Sequence, residues 1–350
     1  MNPLSRRIFL RTALTTTAAF GVLPRRAIAA EDFTGKVMTV LGPIEPGELG
    51  RTLGHEHGVV DFIGAEKAPR LRHDSQEAFA TILPHLEKLK QLGCRSVVEC
   101  TPNYIGRDVA LLKRLATASG LHIVTNTGYY GAAGNKFLPR HAHTESADQL
   151  ADRWLREWRD GIDGTGIRPG FLKLGVEKGK LSELHVKLVR AGARAHLKSG
   201  LAIAIHTGDG EAALDEMRVL KEEGVAANAL VWVHAQNDGG PIQLEAARRG
   251  AWVSLDGFGA KRRDRYVEWL SAFRKENLLN RVLLSHDHFW SVEGSETISL
   301  KLHSGGEAPF QSVWTSLVPA LRENGFTLEE IDRLTIKNPA EAFTVRRRAQ

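Results

Sequence analysis

The amino-acid sequence predicts an α/β fold of the (β/α)8 type, the TIM barrel. Short apolar segments recur through the chain, and each is followed by a polar turn and an amphipathic helical segment. Apolar runs such as residues 201–205 are typical of parallel strands that are buried on both faces. Eight such units in roughly 300 residues match a single barrel. A doubly wound open sheet is the alternative, but the sequence shows no signature of its switch point.

The eight predicted strands are spaced along the chain between residues 51 and 287. In chain order they are Arg51–His57, Arg95–Thr101, His122–Gly128, Gly170–Val176, Leu201–Thr207, Ala229–Ala235, Ala251–Gly257 and Arg281–Asp287. The intervening segments show helical periodicity, as in the apolar positions Phe79, Ile82 and Leu86. Segments 258–280 and 289–311 follow the last two strands, and their roles stay open. Segments as long as the second often form lids or substrate channels.

Residues 1–29 predict a signal peptide of the twin-arginine type. A basic segment, 5–11, precedes the uncharged segment 12–23 and a small-x-small cleavage site at 27–29. Paired arginines followed by Phe-Leu resemble the twin-arginine signal, so we expect export of the folded chain to the periplasm or beyond. Twelve weakly apolar residues are too few to anchor it stably in a bilayer. A basic leader without function is the alternative, and residues 30–350 are expected to form one domain.

Charge and cysteine content argue against a nucleic-acid-binding protein and against a disulfide between the two cysteines. The formal net charge is +6, but five of the 47 basic residues precede Glu31, which leaves 42 against 41 acidic ones. A nucleic-acid partner is therefore not expected. Cys94 and Cys100 flank a predicted strand, and six extended residues span roughly 20 Å, whereas bridged Cα atoms lie within about 7 Å. We expect two buried thiols.

Polar side chains interrupt or end five of the predicted strands, where a barrel interior is otherwise aliphatic. These six residues are His55, His57, Lys173, His206, His234 and Asp287. His55 and His57 are two residues apart, so strand alternation places both on one face. Two buried neighbouring imidazoles are costly unless a metal holds both neutral. A single histidine such as His206 or His234 is more simply explained as a hydrogen-bonded core residue, but together these residues predict a metal centre at the C-terminal face.

Lys173 lies between leucines, where a charged ammonium would carry a large desolvation cost. Burial favours the neutral amine, which can react with carbon dioxide to give a carbamate that bridges two cations. The alternative is a lysine paired with a buried acid such as Glu99 or Asp256.

Several segments resemble the phosphotriesterase family of the amidohydrolase superfamily, and the likeness covers nearly the whole mature chain. They are Gly42–His57, Asn103–Asp108, Thr127–Tyr130, Phe171–Lys173, Ile205–Thr207, Val233–Ala235, Ser285–Asp287 and Asn338–Pro339. A lone HxH motif would be unspecific, whereas the order and spacing of these segments are specific.

The resemblance implies a binuclear centre of two divalent ions, usually Zn2+. It implies that His55, His57 and Asp287 hold the more buried ion and that His206 and His234 hold the more exposed one. Carbamylated Lys173 and a hydroxide would bridge the ions. The hydroxide would attack a lactone, carboxyl ester or organophosphate triester, with Asp287 accepting its proton. Amide hydrolysis by the same centre is an alternative, and a non-catalytic periplasmic metal-binding protein is another. The sequence is compatible with a homodimer but leaves the oligomeric state open.

Substrate residues are less well defined. Tyr130 falls where lactonases of this family carry a tyrosine near the metal-bound oxygen, which favours a lactone or carboxyl ester; an aromatic packing residue is the alternative. The segment after Asp256 lacks the arginine of those lactonases, which argues against their acyl-homoserine-lactone pocket. Glu293 and His303 are candidate specificity residues. The basic run 261–265 could attract anionic substrates or form a solvated helix face.

Overall fold

Strands and helices alternate through most of the chain in a computed structural model that describes residues 32–67 and 71–350. The predicted signal peptide, residues 1–29, lies outside the described residues. Phe33–Gln350 forms one compact unit. A search of the described helices finds none with both the length and the apolar character that a membrane crossing requires.

The strands are β1 (Val37–Thr39), β2 (Gly42–Ile44), β3 (Thr52–Glu56), β4 (Val59–Val60), β5 (Ser96–Glu99), β6 (His122–Val124), β7 (Asn126–Thr127), β8 (Phe171–Gly175), β9 (Ala202–His206), β10 (Leu230–Val233), β11 (Trp252–Leu255), β12 (Val282–Leu284), β13 (Phe289–Glu293) and β14 (Ser299–His303). The helices are α1 (Ser75–Gln91), α2 (Val109–Ser119), α3 (Arg140–Thr144), α4 (Ala147–Asp160), α5 (Glu183–Ser199), α6 (Gly210–Glu222), α7 (Pro241–Arg248), α8 (Arg263–Lys275), α9 (Val318–Glu323), α10 (Leu328–Asp332) and α11 (Asn338–Phe343). Each of the eight predicted strands contains an observed one.

Two parallel sheets form the framework. One has the order β7-β8-β9-β10-β11-β12, and the other has the order β3-β5-β6. The backbone N–H of Asp287, after β12, donates to the carbonyl of His55 in β3 over 3.3 Å. The N–H of His57 donates to the carbonyl of His288 over 3.0 Å. The carboxyl ends of the first and eighth predicted strands therefore lie side by side.

The predicted strand His122–Gly128 is divided in two, which corrects the expectation of one continuous strand. Val124 pairs with Val98 in one sheet, whereas Asn126 pairs with Phe171 in the other. The side-chain amide of Asn126 donates to the carbonyls of Glu99 (3.1 Å) and Thr101 (3.0 Å). Beyond Thr125 the backbone no longer pairs with β5. The side chain of Asn126 makes the contact with that part of the chain instead.

Alternation along the strands separates an interior from the helix-facing layer. In β9, Ala202 and Ala204 pack in an interior cluster, whereas Ile203 and Ile205 pack with the helices. The same alternation in β8 places Phe171 in the interior, and Lys173 has the same parity. Lys173 pairs in register with Ala204, whose small side chain leaves room for a long one.

Segment 289–311 is not a long irregular loop. It contains the antiparallel hairpin of β13 and β14, and β13 also pairs in parallel with β4. Segment 258–280 contains α8. Cys94 and Cys100 are both buried and free, as the spacing predicted.

Candidate metal centre

Five of the six predicted donor residues come together where the parallel strands end. His55 belongs to β3 and His57 follows it, His206 ends β9, and His234 and Asp287 come shortly after β10 and β12. One donor atom each of His55, His234 and Asp287 lies within 4.8 Å of the others. Carboxyl ends of parallel strands gather at one rim, which explains how residues distant in sequence meet.

His55, His57 and Asp287 point donor atoms at one another. The Nε2 atoms of the two histidines are 3.2 Å apart. Oδ1 of Asp287 lies 3.3 Å from Nε2 of His55 and 3.1 Å from Nε2 of His57. Imidazole nitrogen and carboxylate oxygen are donors that Zn2+ and related divalent ions accept, so this set fits a cation.

His206 and His234 extend this group. Their ring centroids are 4.5 Å apart, and the ring of His234 lies 5.0 Å from that of His55. The ring of Tyr130 lies 4.8 Å from that of His206. Tyr130 is therefore next to the site. Its ring centroid also lies 5.8 Å from that of Phe137, so both predicted roles, substrate contact and aromatic packing, retain support.

Two of the site residues have a strained backbone. His234 and Asp287 both adopt φ of 64°, in the left-handed region that non-glycine residues rarely occupy. Such conformations cost about 1 kcal/mol or more and persist where the surrounding structure imposes them. Both occur at a strand end, where the turn directs the side chain toward the other donors.

The Nδ1 atoms of His55, His57 and His234 lie beside oxygen atoms of neighbouring side chains. Nδ1 of His234 donates to Oδ1 of Asp256 over 2.7 Å, and Nδ1 of His57 lies 2.9 Å from the hydroxyl of Thr101. Nδ1 of His55 lies 3.5 Å from Oδ2 of Asp256 and makes no hydrogen bond. Metal-ligating histidines are usually oriented in this way, with a carboxylate or hydroxyl on the other ring nitrogen.

Lys173 is 1% exposed and one of the largest fully buried side chains. Among residues 32–67 and 71–350, no ion pair joins its Nζ to Glu99 or Asp256. The Glu99 carboxylate accepts the N–H of Gly58 over 3.2 Å instead, and Asp256 is engaged by His234. The described residues thus show no ion pair between Lys173 and either of these two acids. Its register partner Ala204 lies two residues before His206 on β9, which places Lys173 next to the strand that carries this histidine.

Burial keeps two of the histidines neutral. Burial and then the charge of Lys173 lower the pKa of His55 to about 4. Burial and the charge of His234 lower the pKa of His206 well below its usual range. The pKa of His234 is also lowered by burial, but the carboxylates of Asp256 and Asp287 outweigh that effect and raise it overall. Neutral imidazole is the form that binds metal ions.

The two carboxylates of the site remain ionised. Burial raises the pKa of Asp287, but the charge of His234 and contacts with His55 and His57 hold it well below its usual range. Burial likewise raises the pKa of Asp256, and the interactions with His234 and His55 more than reverse the effect. A negative charge is thus present among the imidazole nitrogens, as a cation site requires.

The sequence did not single out Glu56, which fixes the turn that carries Asp287. Its Oε1 accepts from the hydroxyl of Ser285 (2.7 Å), the N–H of His286 (2.9 Å) and Nδ1 of His286 (2.6 Å). Its Oε2 accepts the N–H of His288 over 2.9 Å. His286 also accepts the N–H of Val313, so both of its ring nitrogens have protein partners. This histidine is structural.

Asp256 is the second residue whose role the sequence did not predict. It is fully buried at the end of β11, where it contacts two site histidines. The signal that could have identified Asp256 in the sequence was its place as a polar residue near the end of a predicted barrel strand.

A cavity of about 500 Å³ opens over these residues. His206, His234 and Asp287 line it, as do segments 257–259 and 303–305 and several neighbouring side chains. His303 lines the cavity and stacks on Phe289 with ring centroids 4.5 Å apart. Glu293 accepts from Ser291 over 2.6 Å and is not among the lining residues, so the prediction of a specificity role retains support only for His303.

Residues 35–343 match the sequence model of the family described as "Phosphotriesterase family". The sequence is 30% identical over 299 residues to a phosphotriesterase homology protein of Escherichia coli, covering 84% of this chain and 98% of that protein. It is 25% identical over 308 residues to an aryldialkylphosphatase of Saccharolobus solfataricus (86% and 97%). It is 28% identical over 359 residues to the human N-acetyltaurine hydrolase (89% and 98%). The chain therefore belongs to the phosphotriesterase family.

Proposed function

We propose that this protein is an exported hydrolase that uses two divalent metal ions to cleave a lactone, carboxyl ester or phosphotriester. The convergence of four histidines and Asp287 at the strand ends carries the proposal. Strands β3 and β5, the divided strand β6–β7, and β8 to β12 would close into one eight-stranded barrel, which the backbone hydrogen bonds between the first and last of them support. Hydrolase relatives favour turnover over metal storage.

The donor set divides into two groups. His55, His57 and Asp287 would hold one ion, because their donor atoms are within 3.3 Å of each other. His206 and His234 would hold the other. Nitrogen and oxygen donors suit zinc, and Lys173 would join the two groups as a carbamate. Its formation joins the lysine nitrogen to the carbon of carbon dioxide, and the amine loses a proton.

When bound, the two ions supply a water-derived nucleophile at neutral pH and polarise the scissile carbonyl or phosphoryl bond. The side chains of this chain do the rest. Asp287 is held ionised and can accept a proton at its carboxylate during attack. Asp256 orients the ring of His234 through Nδ1, which leaves Nε2 available. Tyr130 lies beside His206, where its hydroxyl can contact a substrate oxygen.

Amide hydrolysis is the second candidate function. Relatives named N-acetyltaurine hydrolase are as similar to this chain as the aryldialkylphosphatase is. Polarisation of a carbonyl by a cation acts on esters and amides alike, so the metal ligands do not separate the two reactions. The lining of the cavity must make that distinction.

A panel assay tests the proposal. The purified zinc-loaded protein is assayed with an aliphatic lactone, an aryl ester, an aryl phosphotriester and an N-acetyl amino acid, beside Lys173→Ala as the matched inactive control. We expect zinc-dependent cleavage of the lactone or ester, faster than that of the phosphotriester. Cleavage of the amide alone would establish the second candidate. Rates that survive chelation or the Lys173→Ala change would contradict both.

A further inference from the structure

Two cationic side chains line the same cavity as the predicted metal ligands. Lys261 and Arg262 line it together with Gly257 and Gly259. The predicted metal ligands His206, His234 and Asp287 line it as well. Lys261 and Arg262 begin a run of four cations, and only these two of the four are part of the lining. The sequence left open whether this run attracts substrates or forms a solvated helix face.

The two cations that line the cavity differ from the other two, Arg263 and Arg265, in ion pairing. Nε of Arg263 lies 3.1 Å from Asp264, and Nη1 of Arg265 lies 2.8 Å from Glu268. Within the described part of the chain, no carboxylate oxygen lies within 4.0 Å of the charged nitrogens of Lys261 or Arg262. The two arginines outside the cavity thus have carboxylate partners, whereas the two exposed cations that line it have none in the described residues and are free to contact a ligand.

The guanidinium of Arg262 contacts the segment that follows β11. Nη1 donates to the carbonyl of Gly257 over 3.3 Å. A Cβ atom at position 257 would lie 3.4 Å from this nitrogen and 2.6 Å from Nε2 of Gln236, so a side chain here would displace the Gln236 amide. Gln236 donates to Asp256, which in turn holds the ring of His234. The guanidinium of Arg262 thus contacts the residue that follows Asp256, and Asp256 contacts the predicted metal ligand His234.

The remaining charge on this wall does not cancel the two cations. Oε1 of Glu307 accepts the N–H of Ala260 over 2.6 Å, which ties the loop before α8 to the turn after β14. This is the single acid among the lining residues besides Asp287, which is predicted to bind a cation. Lys261, Arg262 and Glu307 together leave a net positive wall.

We infer that Lys261 and Arg262 form an anion subsite and that the physiological substrate carries an oxyanion away from its scissile bond. This inference rests on the proposed function. A carboxylate, sulfonate or phosphate has the oxygen geometry that a guanidinium binds with two parallel hydrogen bonds. The substrate class is therefore an ester, lactone or amide with an acidic tail.

Two esters that differ only in charge test the inference. Mono-p-nitrophenyl glutarate ends in a carboxylate where p-nitrophenyl valerate ends in a methyl group. We expect the zinc-loaded protein to have a lower KM for the glutarate ester. Arg262→Gln should raise that KM about tenfold, the effect of one charge-assisted contact, and should leave the KM for valerate within about twofold. Arg263→Gln is the matched control, because it removes the same charge from the neighbouring residue outside the cavity.

A binding measurement separates failure of the subsite from failure of the proposed reaction. Propane-1-sulfonate, a weak metal ligand, is titrated into wild type, Arg262→Gln and Arg263→Gln by calorimetry. Binding that is lost only in Arg262→Gln supports the subsite, even if neither ester is cleaved. Cleavage of both esters with equal KM, together with sulfonate binding that Arg262→Gln does not weaken, overturns the inference and leaves the hydrolase proposal intact.

Discussion

Replacing Glu56 by glutamine perturbs the support of the site rather than a predicted metal ligand. The Glu56 carboxylate is 1% exposed and accepts four hydrogen bonds from the turn at Ser285–His288. Burial raises its pKa, but the contacts with His286 reverse this and lower the pKa overall, so the carboxylate is charged. Glutamine has the same shape, but it is neutral and replaces one acceptor oxygen with an amide NH2 group.

The expected loss of stability follows from those four bonds. The amide NH2 would face the N–H of His288, and a buried donor without an acceptor costs about 1–3 kcal/mol. The three bonds to the other oxygen become neutral and weaken by about 0.5 kcal/mol each or more. The sum is about 3 kcal/mol, or roughly 5 °C in Tm for a domain of this size. Because the turn carries Asp287, zinc affinity should fall as well.

Chemical unfolding of wild type and Glu56→Gln at pH 7 measures this loss. Glu216→Gln is the matched control, because Glu216 is fully buried in α6 but accepts a single hydrogen bond, from Thr207 over 2.9 Å. Its free energy of unfolding should not fall. Equal destabilisation by the two substitutions would show that loss of a buried carboxylate, and not support of the Asp287 turn, is what matters.

Three further predictions concern single side chains. Asp287→Asn should lower kcat at least a hundredfold while the circular dichroism spectrum stays that of wild type; near-normal turnover would remove the proton-accepting role. Tyr130→Phe should slow hydrolysis of a lactone more than that of an aryl phosphotriester, and equal losses would favour a packing role. Burial raises the pKa of Glu216 well above its usual range, so its protonated form is favoured by folding. Its contribution to stability is complete below about pH 4 and is lost as the pH rises toward the folded pKa. Glu216→Gln should therefore stabilise the protein more at pH 8 than at pH 5, measured as the difference in free energy of unfolding; no pH dependence of that difference would contradict the raised pKa.

Local patterns in the sequence predicted the strands and most of the site. Apolar segments marked the eight parallel strands that were predicted, because a strand covered on both faces is apolar along most of its length. The residues His55, His57, His206, His234 and Asp287 stood out because each is polar where the pattern predicts an apolar strand or its end.

Features that depend on partners distant in sequence were not predicted. The break at Thr125 arises where one strand changes its pairing partner, which no local property of that segment records. The acceptor role of Glu56 depends on donors 229 to 232 residues away. The hairpin of β13 and β14 was not predicted, because its residues are of mixed polarity and one of its strands is largely exposed.

The metal content of the chain tests the central claim most directly. Wild-type protein and Lys173→Ala are equilibrated with excess Zn2+, freed of unbound ions by gel filtration and analysed for zinc by mass spectrometry. We expect two ions per wild-type chain, and at most one in Lys173→Ala, with partial recovery when a short-chain carboxylic acid such as propionate replaces the lost carbamate. Fewer than one ion in wild type, or two retained in Lys173→Ala, would contradict a binuclear centre that Lys173 bridges.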